Sequence, residues 1–183
     1  MSFSPTSPMP LKKLSYFCRN ENKDMKHVSL ASIEKAIQKV DNLDEDGLER
    51  IAETYALAQQ TLLGYVMSAA IEYENEQLEG LLIYYYCLIC EAFTQEGLLL
   101  NEIEESDIDA FEEGYFQMLD QYFQSEDEEV INDFCDQPDL TRFMMIEVST
   151  DDEDGSSLDD DTATQLFIVT LAMISLMNNA IKA

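Results

Sequence analysis

Few residue types in this chain are placed for chemistry. Cys87 and Cys90 form a C-x-x-C pair. Redox pairs of that spacing sit at a helix start, where the dipole lowers the thiol pKa. Here the pair lies inside the apolar run 81–93, so it reads as two buried, inert thiols. A zinc site needs four ligands, and Cys18, Cys135 and the single histidine, His27, would have to converge on it from distant parts of the chain. Asp24 precedes His27 by three positions. A dinuclear carboxylate centre in a bundle takes a Glu-x-x-His from each of two helices, which one histidine cannot supply. A Ser–His or Cys–His nucleophile would depend on that same residue. No catalytic group, metal ligand or cofactor site is assigned on these grounds. Four cysteines and no secretory signal pattern fit a reducing, cytoplasmic setting.

Carboxylates are what the chain has in excess. It carries 38 Asp and Glu against 10 Lys and Arg, a net charge of −28. Glu76 with Glu79, and Glu104 with Asp107, place acids at i and i+3, on one helix face. In form this resembles the E-x-x-E and E-x-x-D pairs with which helical nucleotide pyrophosphohydrolases hold magnesium, and the resemblance implies a divalent-metal-dependent hydrolase as the alternative function. The pattern has little specificity. Eleven acid pairs at i, i+3 occur in the chain, and random placement gives roughly eight. A triphosphate also needs cationic help beyond the metal, and residues 51–141 contain no Lys or Arg. Two stretches approach a calcium loop. Asn42, Asp44, Asp46, Gly47 and Glu53 fill five places of one, and Asp152, Asp154, Gly155 and Asp161 fill four of the other. Both lack the usual apolar residue at position 8, where Glu49 and Ser157 stand.

The distribution of charge is more informative than any motif. Residues 1–50 balance eight basic groups with eight acidic ones, so the whole deficit lies beyond them, and residues 51–141 hold 22 carboxylates. Such a chain repels phosphate backbones and anionic lipid, which argues against direct nucleic-acid or membrane binding. A one-sign surface weakens a fold by self-repulsion. Three uses compete: attraction of a cationic partner, solubility alone, and cation binding. The leading expectation is a non-catalytic acidic binding protein that engages a basic protein partner, of immunity, antitoxin, secretion-chaperone or nucleic-acid-mimic type. Its acidic face is expected at Glu102, Glu104, Glu105, Asp107, Asp109, Glu112, Glu113, Glu126, Asp127, Glu128 and Glu129.

The elements that must carry these groups are helical. Scarce Gly and Pro (6 and 4 residues) disfavour turn-rich all-β folds. Pro5, Pro8 and Pro10 mark residues 1–28 as an irregular leader. From Ser29 on, apolar residues recur at three and four. The spacing predicts a helix from Ser29 or Ser32 through Val40, with Leu30, Ile33, Ala36, Ile37 and Val40 on one face. Asp46 is expected to cap one long helix over 48–72, Ser106 a helix with Phe111, Phe116 and Phe123 in its apolar set, and Ser125 a short helix to Cys135. Residues 81–93 are apolar nearly all round and suit a central position. Pro138 is expected to interrupt, and a strand at 143–148 stays open. Residues 149–161 read as an acidic loop. Residues 162–181 run for 20 positions without a charge, long enough to span a bilayer. Their Gln165, Asn178, Asn179 and hydroxyl residues favour a buried bundle helix instead. The expected fold is all-α, an antiparallel helical bundle of about five or six helices in a single domain, residues 29–183.

Overall fold

The computed structural model describes residues 26–183. Most of the expected leader therefore lies outside the described residues, as do Cys18 and Asp24. The chain is all-helical, with eight helices and no strand among the described residues. They are α1 (Leu30–Asp41), α2 (Glu45–Ala58), α3 (Gln60–Glu72), α4 (Gln77–Gln95), α5 (Glu105–Ser125), α6 (Glu128–Phe134), α7 (Pro138–Ser149) and α8 (Asp160–Asn179). The bundle class matches the sequence expectation, and the helix count exceeds it.

Three local causes account for the difference. Residues 48–72 form two helices, because Gln59 leaves helical geometry (φ −142°, ψ 60°) between α2 and α3. Its buried side chain supplies the reason, as described below. Pro138 opens α7 instead of interrupting, since the first helical position needs no N–H. Residues 143–148 are then helical. Caps also shift. Asp44, not Asp46, caps α2 by accepting from Gly47 N at 2.7 Å. A Cβ at Gly47 would stand 2.9 Å from that same Asp44 oxygen, so the glycine makes room for the cap. Asp107 Oδ2 accepts from Glu104 N at 2.9 Å at the start of α5, and Asp127 caps α6, in place of Ser106 and Ser125.

Two helices make the centre. In α4, every side chain from Tyr85 to Phe93 is buried, as its apolar girth requires. In α8, Leu171 through Met177 are buried without a gap. The polar groups that disfavour a membrane reading of α8 are used inside the bundle. Thr170 and Ser175 hydroxyls donate to the carbonyls of Leu166 and Leu171 at 2.8 Å. Asn75 Nδ2 donates to Thr162 and Gln165. Gln137 Nε2 donates to Asn178 at 3.0 Å and to Lys26 O at 2.7 Å. No helix among the described residues is long and apolar enough to cross a membrane.

α1 is sewn to α4 at both ends. Glu96 Oε2 accepts from Ser29 N, Ser29 Oγ and Ser32 Oγ at 2.9, 2.7 and 2.6 Å. A carboxylate at a helix N-terminus also meets the positive end of the dipole. At the other end, Lys39 Nζ donates to Glu91 Oε1 at 2.9 Å. Glu91 is wholly buried and also accepts from Tyr55 Oη and Gln95 Nε2. Leu30, expected on the core face of α1, is 60% exposed, since that helix buries Ile33, Ala36 and Val40.

Candidate functional site

The eleven acids selected from the sequence fall on one long helix and its two ends. α5 has 21 residues, which makes it about 30 Å long. Glu102 and Glu104 precede it; Glu105, Asp107, Asp109, Glu112 and Glu113 lie in its first half. Glu126 ends it in the left-handed region (φ 54°), and Asp127, Glu128 and Glu129 begin α6. The expected face is thus two acidic groups at opposite ends of a helix. Nine of the eleven are exposed; Glu112 and Glu128 are half-buried.

Helical geometry divides the first group again. Glu105, Asp109 and Glu113 follow one another at i+4 and share the solvent face. Phe116, 51% exposed rather than buried, lies on the same side. Glu112, at i+3 from Asp109, borders that face and reaches Tyr65 of α3. Burial, then the charge and hydrogen bond of Glu112, push that hydroxyl up to about 12. Asp107 and Glu102 turn to a third place, a cleft between the segment before α5 and the end of α8.

That cleft is held by residues the sequence did not single out. Gln59 Nε2 donates to Asn101 O, and its Oε1 accepts from Ile103 N, both at 2.9 Å. One side-chain amide thus pairs with the backbone as a neighbouring strand would. Leu100 and Ile181 form an isolated antiparallel bridge. Around it, Asn101 N donates to Ala180 O and Lys182 N to Leu99 O, each at 2.8 Å. Segment 99–103 is therefore fixed from two sides, and Ile103 is buried. A lone glutamine inside a continuous helical pattern carries no sequence signal for this role.

The remaining candidates resolve into structural parts. Cys87, Cys90 and Cys135 are buried free thiols. Burial pushes Cys87 and Cys135 up to about 11 and Cys90 higher still, away from the thiolate that redox or metal chemistry needs. His27 pairs with Asp136 at 2.7 Å. Asp44 is a helix cap, and Asp154 accepts from Ser156 within its own turn. Among the described residues, no group of three or more His, Cys, Asp or Glu is arranged to hold a metal ion. No protein-family model, curated protein or solved structure matches this chain.

Proposed function

We propose that the protein is a non-catalytic binder of basic proteins, and that it engages them through the acidic side of α5 and the start of α6. The observation that carries this reading is the exposed i+4 ladder Glu105, Asp109 and Glu113. Like charges at that spacing destabilise a helix by about 0.2–0.5 kcal/mol per pair, and no lysine or arginine stands anywhere in residues 51–141 to offset them. Such a ladder raises the encounter rate with a cationic surface and rejects anionic ones. The reading covers an immunity protein, an antitoxin, a secretion chaperone or a mimic of nucleic-acid phosphates, and the ladder does not choose among them.

The test is capture of basic proteins from lysate by the full chain at low salt and in about 0.5 M salt, where charges are screened over a few ångströms. The Glu105→Gln, Asp109→Asn, Glu113→Gln triple variant should lose the salt-sensitive fraction. A control that neutralises Asp151, Asp152 and Glu153 in the exposed loop should keep it. Equal capture by both variants, or capture indifferent to salt, would overturn the reading.

A further inference from the structure

The cleft beside α5 adds something the open ladder lacks: a shaped cavity. Its volume is about 330 Å³. Its lining includes the acids Glu102 and Asp107 and the amides Asn101 and Asn179; one oxygen of Asp107 is held by Glu104 N, and no lysine or arginine among the described residues lines it. Phe111 and Leu176 give it an apolar floor. A cavity with an apolar floor and acidic groups matches a side chain with an apolar stem and a cationic head. Two helix ends meet there with opposite dipoles, the N-terminus of α5 and the C-terminus of α8, so the carboxylates set the sign. The walls are already fixed by Gln59 and by the Leu100–Ile181 bridge, which lowers the ordering cost of filling the cavity.

We propose that this cleft is the socket for one arginine side chain of the basic partner. The proposal rests on the reading above and narrows it. Arginine fits better than lysine. Its planar guanidinium can bridge two acceptors and lie against an aromatic ring, whereas an ammonium is a compact, strongly hydrated charge. Arginine is also enriched among the few residues that carry most of an interface's binding energy. The ladder attracts the partner over a wide area, and the socket sets its register.

The test uses three probes against the isotopically labelled full chain: the acetylated, amidated tripeptides Gly-Arg-Gly, Gly-Lys-Gly and Gly-citrulline-Gly. Citrulline keeps the shape and removes the charge. The arginine peptide should shift the amides of Asn101, Ile103, Asp107, Ala110 and Asn179 and saturate near about 1 mM, in line with a fragment-sized ligand. The citrulline peptide should bind at least about tenfold more weakly, since it forfeits the charge-assisted bonds, with lysine between. Ala110→Leu should abolish the site, because Ala110 lines the cleft while remaining exposed, and leucine suits a helix. Glu102→Gln should weaken binding several-fold. Equal shifts from arginine and citrulline, shifts that spread to Glu126–Glu129 without saturating, or unchanged binding by Ala110→Leu would each overturn the socket. Salt-sensitive protein capture without a peptide site removes the socket and leaves the wider reading. A saturable arginine site without salt-sensitive capture overturns the wider reading and, with it, the assignment of the socket to a basic partner.

Discussion

The α1–α4 seam and the α5 surface use the same residue type in opposite ways. At the seam, Glu91 and Glu96 are satisfied by neighbours: a lysine, a tyrosine and a glutamine for one, two serines for the other. On α5, Glu105, Asp109 and Glu113 stand in solvent, one turn apart. Negative charge is thus no single property of this chain. A carboxylate at the seam stabilises the fold, and Asp109, between two like charges on the ladder, weakens it. Only the second kind has its capacity left for a partner.

Breaking the seam has the largest expected effect. Glu91→Ala leaves Gln95 and Lys39 without this acceptor, leaves Tyr55 only Thr94, and opens a void on the buried side of α4. The cost is about 3 kcal/mol, the orphaned donors and the void together. It is read from the urea midpoint at constant m. Lys39→Met should cost a comparable amount, because it leaves the wholly buried Glu91 carboxylate with neutral donors and no cation.

Gln59→Ala comes next. It strips partners from Asn101 O and from buried Ile103 N, at about 1–3 kcal/mol for the orphaned groups. Hydrogen exchange at Ile103 should accelerate more than exchange in α4, and the arginine-peptide site should weaken with it. If exchange accelerates uniformly, Gln59 supports the whole bundle and not the cleft in particular.

Acid sharpens the contrast in another way. Burial pushes the Glu91 and Glu96 carboxyls up, but hydrogen bonds reverse the shift. The donors are Tyr55, Lys39 and Gln95 for Glu91, and Ser32 and Ser29 for Glu96, with further help from the charges of Lys39 and Lys35. Both groups end below their ordinary 4.5. The native state therefore holds these protons less tightly than the unfolded chain. The stability they confer is complete well above pH 4.5 and drains away as pH falls through their lower folded values. Glu96→Gln should flatten that acid limb in urea titrations at stepped pH. An unchanged limb would show that Glu96 does not contribute to it.

Most of the bundle is legible in the sequence because helix period and apolar girth are local signals. The burial of α4 and α8 follows from residues 81–93 and 162–181 alone. Caps are less legible, since acceptors stand two or three residues apart. Asp44 wins over Asp46 because Gly47 admits its carboxylate, a contact no periodicity reports. The acidity of residues 102–129 is plain in the composition, but its division into a ladder, a cleft and a far cluster is not. The cleft needs Leu176 and Asn179 from the far end of the chain, and a break at Gln59 that exists only for a long-range pairing.

The smallest expected effect is the one that bears most on function. Replacing Asp109 by asparagine removes both i, i+4 repulsions, each worth about 0.2–0.5 kcal/mol, and keeps Glu105 in the first turn of α5, where the helix dipole favours it. The variant should be slightly more stable than the parent at low ionic strength. The gain should vanish in about 0.5 M salt, where the parent's repulsion is already screened. A thermal melt at two salt concentrations reads both. The sign matters more than the size, because it tells whether this carboxylate serves the fold or weakens it. If the amide variant is less stable, this carboxylate serves the fold as Glu91 and Glu96 do, and the contrast between the two regions disappears. If it is more stable and captures less of the salt-sensitive fraction of basic proteins, stability and binding pull in opposite directions at Asp109, as expected of a surface kept for docking.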